Sequence, residues 1–221
     1  MAYFPNDTQH LLEIGRNGSG KTIAGLWHLS EANYDKKPWV IFDTKGDEVI
    51  EKLGRFEGVH NISFNDNIGK HGLYIIRPRP DQTEQIESFL WRIHQRNNIG
   101  IYIDEGYAIG KSDALNALLT QGRSKHIPII ILSQRPSWLS RFCFSEASFF
   151  QVFALTDKRD RLTVQSFIPV EKANLDTRLP PYYSVWYDVK RDQADIFAPV
   201  PPANDILQTF AERIQPRIRV L

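Results

Sequence analysis

The sequence predicts an α/β protein whose mostly parallel central sheet is covered by helices on both faces. Short apolar runs alternate with helix-competent segments over residues 10–155, which is the pattern of a parallel sheet with crossover helices. Several of those runs are continuously apolar, as strands buried on both faces are. The balance of 42% hydrophobic and 24% charged residues in 221 is that of a globular core, and it excludes a disordered or fibrous chain.

Residues 10–14, HLLEI, read as a short strand feeding a glycine-rich loop, and residues 22–34 follow as a helix that Pro38 closes off. Residues 39–42, WVIF, form a second strand closing on Asp43, and residues 73–76, LYII, a further strand stopped by Arg77-Pro78. Across residues 83–97 the apolar set Ile86, Phe89, Leu90 and Ile93 falls at i, i+3, i+4 and i+7, an amphipathic helix. Residues 99–103 make a strand ending in Asp104-Glu105, residues 113–122 a helix through Leu115, Leu118 and Leu119, residues 127–132 the most apolar strand, and residues 149–155 one more. Beyond Leu179 the character changes. Proline pairs bracket two strands at 183–188 and 194–198, joined through Lys190-Arg191-Asp192, and a helix at 204–214 follows. This reads as a sheet-edge hairpin and a closing helix, so that residues 1–221 form a single domain, 1–169 its core and 170–221 the segment completing it.

Composition narrows the setting. One cysteine, Cys143, leaves no internal disulfide, and there is neither a signal peptide nor an apolar run near the ~20 residues that cross a bilayer. A reducing, cytoplasmic setting is expected. The net charge of +1 lacks the excess of a protein that grips nucleic acid over its whole surface; it leaves room for contacts through a few residues or through a pore shared among subunits. His10, His28, His94 and His126 show no metal-ligand spacing.

The loop carries the chemistry. EIGRNGSGKT meets the pattern Gly-x-x-x-x-Gly-Lys-Ser/Thr at Gly15, Gly20, Lys21 and Thr22, with a strand before it and a helix after it. In that setting the backbone N–H groups of Arg16, Asn17, Gly18, Ser19, Gly20, Lys21 and Thr22 wrap a β-phosphate, Lys21 lies along the β- and γ-oxygens, and the Thr22 hydroxyl ligates Mg²⁺. Asp104 ends a strand on the same edge and can hold Mg²⁺ through water, and Glu105 can polarise an attacking water. The alternative for this pair is a solvated acidic turn. Gln134, closing the strand at 127–132, can both donate to and accept from a γ-phosphate or that water; otherwise it belongs to a polar turn before Pro136. Arg123, Arg135 and the Arg159/Arg161 pair compete for the role of a guanidinium acting across a subunit boundary, Arg123 having the alternative of a helix C-terminal cap.

Taken together, HLLEIGRNGSGKT, IFDTKGDE, IYIDEG and TQGRSKHIPIIILSQRP resemble the FtsK/HerA superfamily of DNA-pumping ATPases, and within it the genome-packaging ATPases of tailless, membrane-containing viruses. The resemblance covers residues 8–136 well and the rest loosely. It implies a P-loop NTPase fold of RecA/FtsK type, ATP and Mg²⁺ as cofactors, nucleotide binding by Gly15 to Thr22, metal coordination by Thr22 and Asp104, catalysis by Glu105, a sensor at Gln134 and a trans-acting finger at Arg123. It further implies homo-oligomeric rings, expected to be hexamers, that thread double-stranded DNA, capsid or packaging-vertex proteins as partners, and action in the host cytoplasm with retention at the vertex. Asp43-Thr44-Lys45-Gly46 marks the family without a catalytic role assigned to it. Lys111, Lys125, Arg213, Arg217 and Arg219 are weak candidates for DNA contact. The competing function is an ATP-gated assembly or secretion factor of the filamentous-phage morphogenesis type, whose members carry a membrane-spanning segment.

Overall fold

The computed structural model of the chain describes residues 7–169 and 179–214. Its elements are β1 (Leu11–Ile14), α1 (Lys21–Ser30), β2 (Trp39–Asp43), α2 (Glu48–Leu53), β3 (Val59–Ile62), β4 (Leu73–Ile76), α3 (Thr83–Arg96), β5 (Gly100–Asp104), α4 (Asp113–Gln121), β6 (Ile129–Ser133), α5 (Arg141–Ser145), β7 (Phe149–Val152), α6 (Lys158–Gln165), β8 (Ser184–Asp188), β9 (Gln193–Phe197) and α7 (Ala203–Ile214). The strands join in one nine-stranded sheet in the order β3-β4-β2-β5-β6-β1-β7-β8-β9. Strands β1 to β7 run parallel, and β8 and β9 add an antiparallel hairpin at one edge.

Every residue of β1, β2, β4, β5, β6 and β7 is buried, which is why their runs are mostly apolar. Successive side chains point to opposite faces. Leu12, Phe42, Ile103 and Ile131 pack with Phe89 and Leu90 of α3 and Leu115 and Leu118 of α4. Leu11, Ile41, Tyr102 and Leu132 pack on the other face with Leu29 of α1, Leu53 of α2 and Phe210 of α7. The sheet therefore has a core on each face, and α1 seals one of them beneath the loop that precedes it. Among the described residues no helix is long and apolar enough to cross a membrane.

Most expected elements are present with shifted ends. The helix expected at 22–34 runs Lys21–Ser30; the Ser30 hydroxyl turns back to donate to Trp27 O at 2.7 Å, and the Tyr34 hydroxyl donates to Leu29 O at 2.6 Å after the chain has turned away. The strand expected at 149–155 stops at Val152; beyond it Phe153 N–H donates to Ile14 O at the end of β1 at 2.7 Å, and Ala154 O accepts from Arg16 N–H of the glycine loop at 3.1 Å. Four elements, α2, β3, α5 and α6, have no counterpart in the sequence reading. Strand β3, VHNI, lies at the sheet's far edge with its residues half-buried or exposed, so no apolar run announces it. Helices α2, α5 and α6 are short and are started by Asp47, Ser140 and Asp157, whose side chains accept from the N–H groups that follow.

Candidate active site

Parallel pairing aligns Ile14 with Ser133 and Asp43 with Asp104, so the chain leaves β1, β2, β5 and β6 along one edge. Ligands bind such sheets at that edge. The loop 15–20 is anchored there by Gly15 N–H, which donates to Ser133 O at 3.2 Å. A Cβ on Gly15 would lie 2.6 Å from Phe153 Cβ, and Gly18 and Gly20 hold φ of +71° and +97°, which side-chain-bearing residues rarely adopt. Gly20 caps α1 without a side-chain bond, and the first turn holds no acidic residue. By contrast, α2, α4, α5 and α6 each open on a side chain that accepts from the helix. The leading N–H groups of α1 are thus left to an outside anion, which the helix dipole also favours.

Lys21 heads α1 and is buried; its Nζ donates to Arg16 O at 3.4 Å and lies 3.8 Å from Glu105 Oε1. Burial holds its pKa down, against the pull of the Glu105 carboxylate. Thr22 Oγ1 donates to Asp104 Oδ1 at 3.3 Å, while Asp104 Oδ2 is buried without a partner. Burial foremost pushes the Asp104 carboxyl up to about 6, with Lys45 opposing and Glu105, Asp47 and Asp43 adding to the rise. This orphaned carboxylate oxygen beside a hydroxyl fits a divalent cation. Two hard oxygen ligands suffice for Mg²⁺, which is held by one or two side chains together with waters and phosphate oxygens.

Glu105 follows at φ +70°, a strained backbone for a residue with a side chain. Its Oε2 accepts from Gln134 N–H at 3.0 Å, and its Oε1 is ion-paired with Lys45. The Gln134 side chain donates to the Tyr107 hydroxyl at 3.2 Å. Lys21, Thr22, Asp104, Glu105 and Gln134 therefore converge at the loop. Arg123 does not join them: it lies beyond α4 at the opposite edge of the sheet, its Nη2 3.4 Å from Ser148 Oγ. Arg135 pairs with Asp160 at 3.6 Å and lies over the Trp138 ring, while Arg159 and Arg161 ride on α6. Of the residues weighed for DNA contact, Arg213 is paired with Glu31 at 2.5 Å and Lys125 donates to Asn97 Oδ1 at 3.2 Å. Arg217 and Arg219 lie outside the described residues.

Sequence reasoning missed two parts of the site. The first is Lys45. Asp43 Oδ1 accepts from Gly46 N–H at 2.8 Å and Asp47 N–H at 3.1 Å, Asp43 Oδ2 pairs with Arg77 at 3.0 Å, and the Thr44 hydroxyl donates to Asp104 O, so the turn after β2 is fixed with Lys45 on Glu105. The second is a cleft of about 420 Å³ beside Gly20, walled by Ile23, Phe153, Tyr182, Pro199 and Val200. Its one sequence signal is the stiff run Pro199-Val200-Pro201-Pro202, which nothing local connects to the loop.

No family model matches the sequence. The chain is 46% identical over 215 residues to the DNA packaging ATPase P9 of Enterobacteria phage PRD1, covering 93% of this chain and 93% of that one. It superposes on the genome packaging NTPase B204 of Sulfolobus turreted icosahedral virus 2, solved in complex with ATPγS, with a TM-score of 0.71 and 20% identity, over 89% of this chain and 100% of that one. ATPases 2 and 3 of EssC from Geobacillus thermodenitrificans match with a TM-score of 0.60 and 16% identity, over 95% of this chain and 43% of that one. The two structural likenesses show a common P-loop fold. The sequence identity, sustained over nearly the full length of both proteins, shows more: the chain belongs to the family of the phage PRD1 DNA packaging ATPase, among the FtsK/HerA-like packaging ATPases of membrane-containing viruses.

Proposed function

We propose that the chain is the motor of viral genome packaging, coupling ATP hydrolysis to the movement of double-stranded DNA into a preformed capsid. The observation that carries this reading is the convergence of an uncapped α1 with Asp104, Glu105 and Gln134 on one sheet edge, in a chain so similar to a DNA packaging ATPase. The N–H groups of Asn17, Gly18, Gly20, Lys21 and Thr22, with the Lys21 side chain, hold the phosphates; those of Gly15 and Arg16, expected to join them, are instead bonded to Ser133 O and Ala154 O. Thr22 and Asp104 hold Mg²⁺, which when bound draws charge from the phosphate oxygens. The apolar cleft beside Gly20 takes the adenosine. Glu105 orients the attacking water and accepts its proton, and Gln134 reads the γ-phosphate.

Arg123 faces away from its own site, so its catalytic use requires a neighbour. The subunits form a ring, expected to be a hexamer, around the duplex, and each Arg123 completes the next subunit's site. Capsid or packaging-vertex proteins anchor the ring, which works in the host cytoplasm during assembly and stays at the vertex.

The test is the steady-state ATPase rate as a function of protein concentration, with and without linear duplex DNA, for the wild type and Arg123→Ala. The rate is expected to climb cooperatively with concentration, to rise with duplex, and to fall by roughly 10³-fold or more in the variant, the range of fingers supplied in trans. Hydrolysis independent of concentration and blind to duplex would instead make the protein a nucleotide-driven assembly or secretion switch.

A further inference from the structure

We propose that Lys45 is a second phosphate-binding lysine: it rests on Glu105 until a γ-phosphate is seated, then moves to that phosphate and releases Glu105 to act as the base. The inference builds on the reading of loop 15–22 as a triphosphate seat and of Glu105 as the base. Two ammonium groups, those of Lys21 and Lys45, meet one oxygen of Glu105. Lys21 and Glu105 are 4% and 1% exposed, a setting in which an uncompensated charge is costly. The carboxylate is thus the anion that balances a cationic seat. Its second oxygen accepts from Gln134 N–H, so both oxygens are engaged, and a base held this way does not take a proton from water.

A terminal phosphate carries more charge than a carboxylate and offers more oxygens, and so competes for the same ammonium groups. Lys45 is built to respond. Its side chain is 33% exposed on a flexible four-carbon stem, whereas the turn beneath it is pinned by Asp43 and by Gly46 at φ +72°. A diphosphate leaves the γ position empty and Lys45 on Glu105. One side chain thereby links recognition of the third phosphate to release of the base.

Binding of ATPγS and of ADP, each with Mg²⁺, is measured by titration calorimetry for the wild type, Lys45→Met, Lys45→Arg, Glu105→Gln and the Lys45→Met/Glu105→Gln double variant. Lys45→Met keeps the stem and removes the charge, and is expected to weaken ATPγS by about 10- to 100-fold, as for a lost charge-assisted hydrogen bond, with ADP changed less than about threefold. Lys45→Arg is expected to retain the preference for ATPγS. Glu105→Gln is expected to tighten ATPγS, because both lysines lose a competing anion, and the loss caused by Lys45→Met is expected to persist in the double variant. Equal weakening of ATPγS and ADP, no weakening of either, or disappearance of the loss in the Glu105→Gln background would each overturn the proposal; the last would leave Lys45 a mere counter-ion. Failure of the underlying reading has its own signature: a wild type that binds neither nucleotide, or a Glu105→Gln protein that still hydrolyses ATP at the wild-type rate.

Discussion

Gly100 opens β5 directly across from Trp39, and a Cβ there would sit 2.1 Å from the indole ring. The Trp39 ring is buried, so it must shift within the core to admit the added atom. Gly100→Ala is therefore expected to cost about 1–3 kcal/mol through overpacking, outweighing the ~0.4–1 kcal/mol that the change contributes by restricting the unfolded chain. Thermal unfolding should show Tm lowered by roughly 2–12 °C; an unchanged Tm would mean that Trp39 relocates freely. The need for this glycine is invisible in the sequence, because Trp39 is remote along the chain. Gly15, Gly20, Lys21 and Thr22 were legible for the opposite reason, since a phosphate loop is a local device whose spacing and flanking elements are written side by side. Lys45 falls between these cases. Its motif stands out in the sequence, but its contact with Glu105 exists only once β2 and β5 pair.

The helices that sequence patterns located are those with a long apolar stripe. Helix α3, with Ile86, Phe89, Leu90 and Ile93 buried, matches its expected span to within one residue. Helix α2 has only Ile50 and Leu53 buried, and begins because Asp47 Oδ1 accepts from Val49 N–H at 2.8 Å and Ile50 N–H at 3.3 Å. Short helices of this kind depend on their caps. Asp47→Ala is expected to destabilise the protein by about 0.5–2 kcal/mol in urea unfolding, with Asp47→Asn retaining most of that stability. Equal losses in the two variants would assign the effect to charge rather than to capping. At the edge opposite β3, the hairpin of β8 and β9 was readable from its turn residues and bracketing prolines. Strand β3 was not, because an edge strand with half-exposed residues leaves no pattern.

At the scale of the whole molecule, buried imidazoles are expected to weaken the fold in acid, while the raised carboxyl of Asp104 opposes them. His10, just ahead of β1, donates from Nε2 to Leu119 O at 3.0 Å, and burial foremost lowers its pKa to about 4; His28, buried within α1, is likewise lowered to about 4 by burial. Both are held neutral in the fold. Unfolded, each titrates near 6.5, so between pH 6.5 and 4 the unfolded chain binds protons that the native chain refuses. Their stabilising contribution is complete above about pH 6.5 and is lost as the pH falls toward 4. His10→Gln keeps a donor for Leu119 and removes one titrating group. Its unfolding free energy should therefore decline less steeply than that of the wild type across this window; parallel profiles would show that His10 does not carry the effect. Alternation of strand and helix made the layered architecture readable, whereas strand order was not, being decided by pairings between distant segments.

That order has a consequence for synthesis. Strand β1 lies between β6 and β7, with Leu11 beside Ile130 and Phe149, and the glycine loop is tied by backbone bonds to Ser133 and Ala154. A nascent chain carries the nucleotide motif at residues 15–22, yet the scaffold that shapes it is made more than a hundred residues later. Such long-range parallel pairing is slow to form and leaves apolar strands uncovered in the meantime. The growing polypeptide is thus expected to be unable to hold a nucleotide while the segment from α1 to β7 is being made, and to acquire that capacity abruptly once β7 has cleared the ribosome.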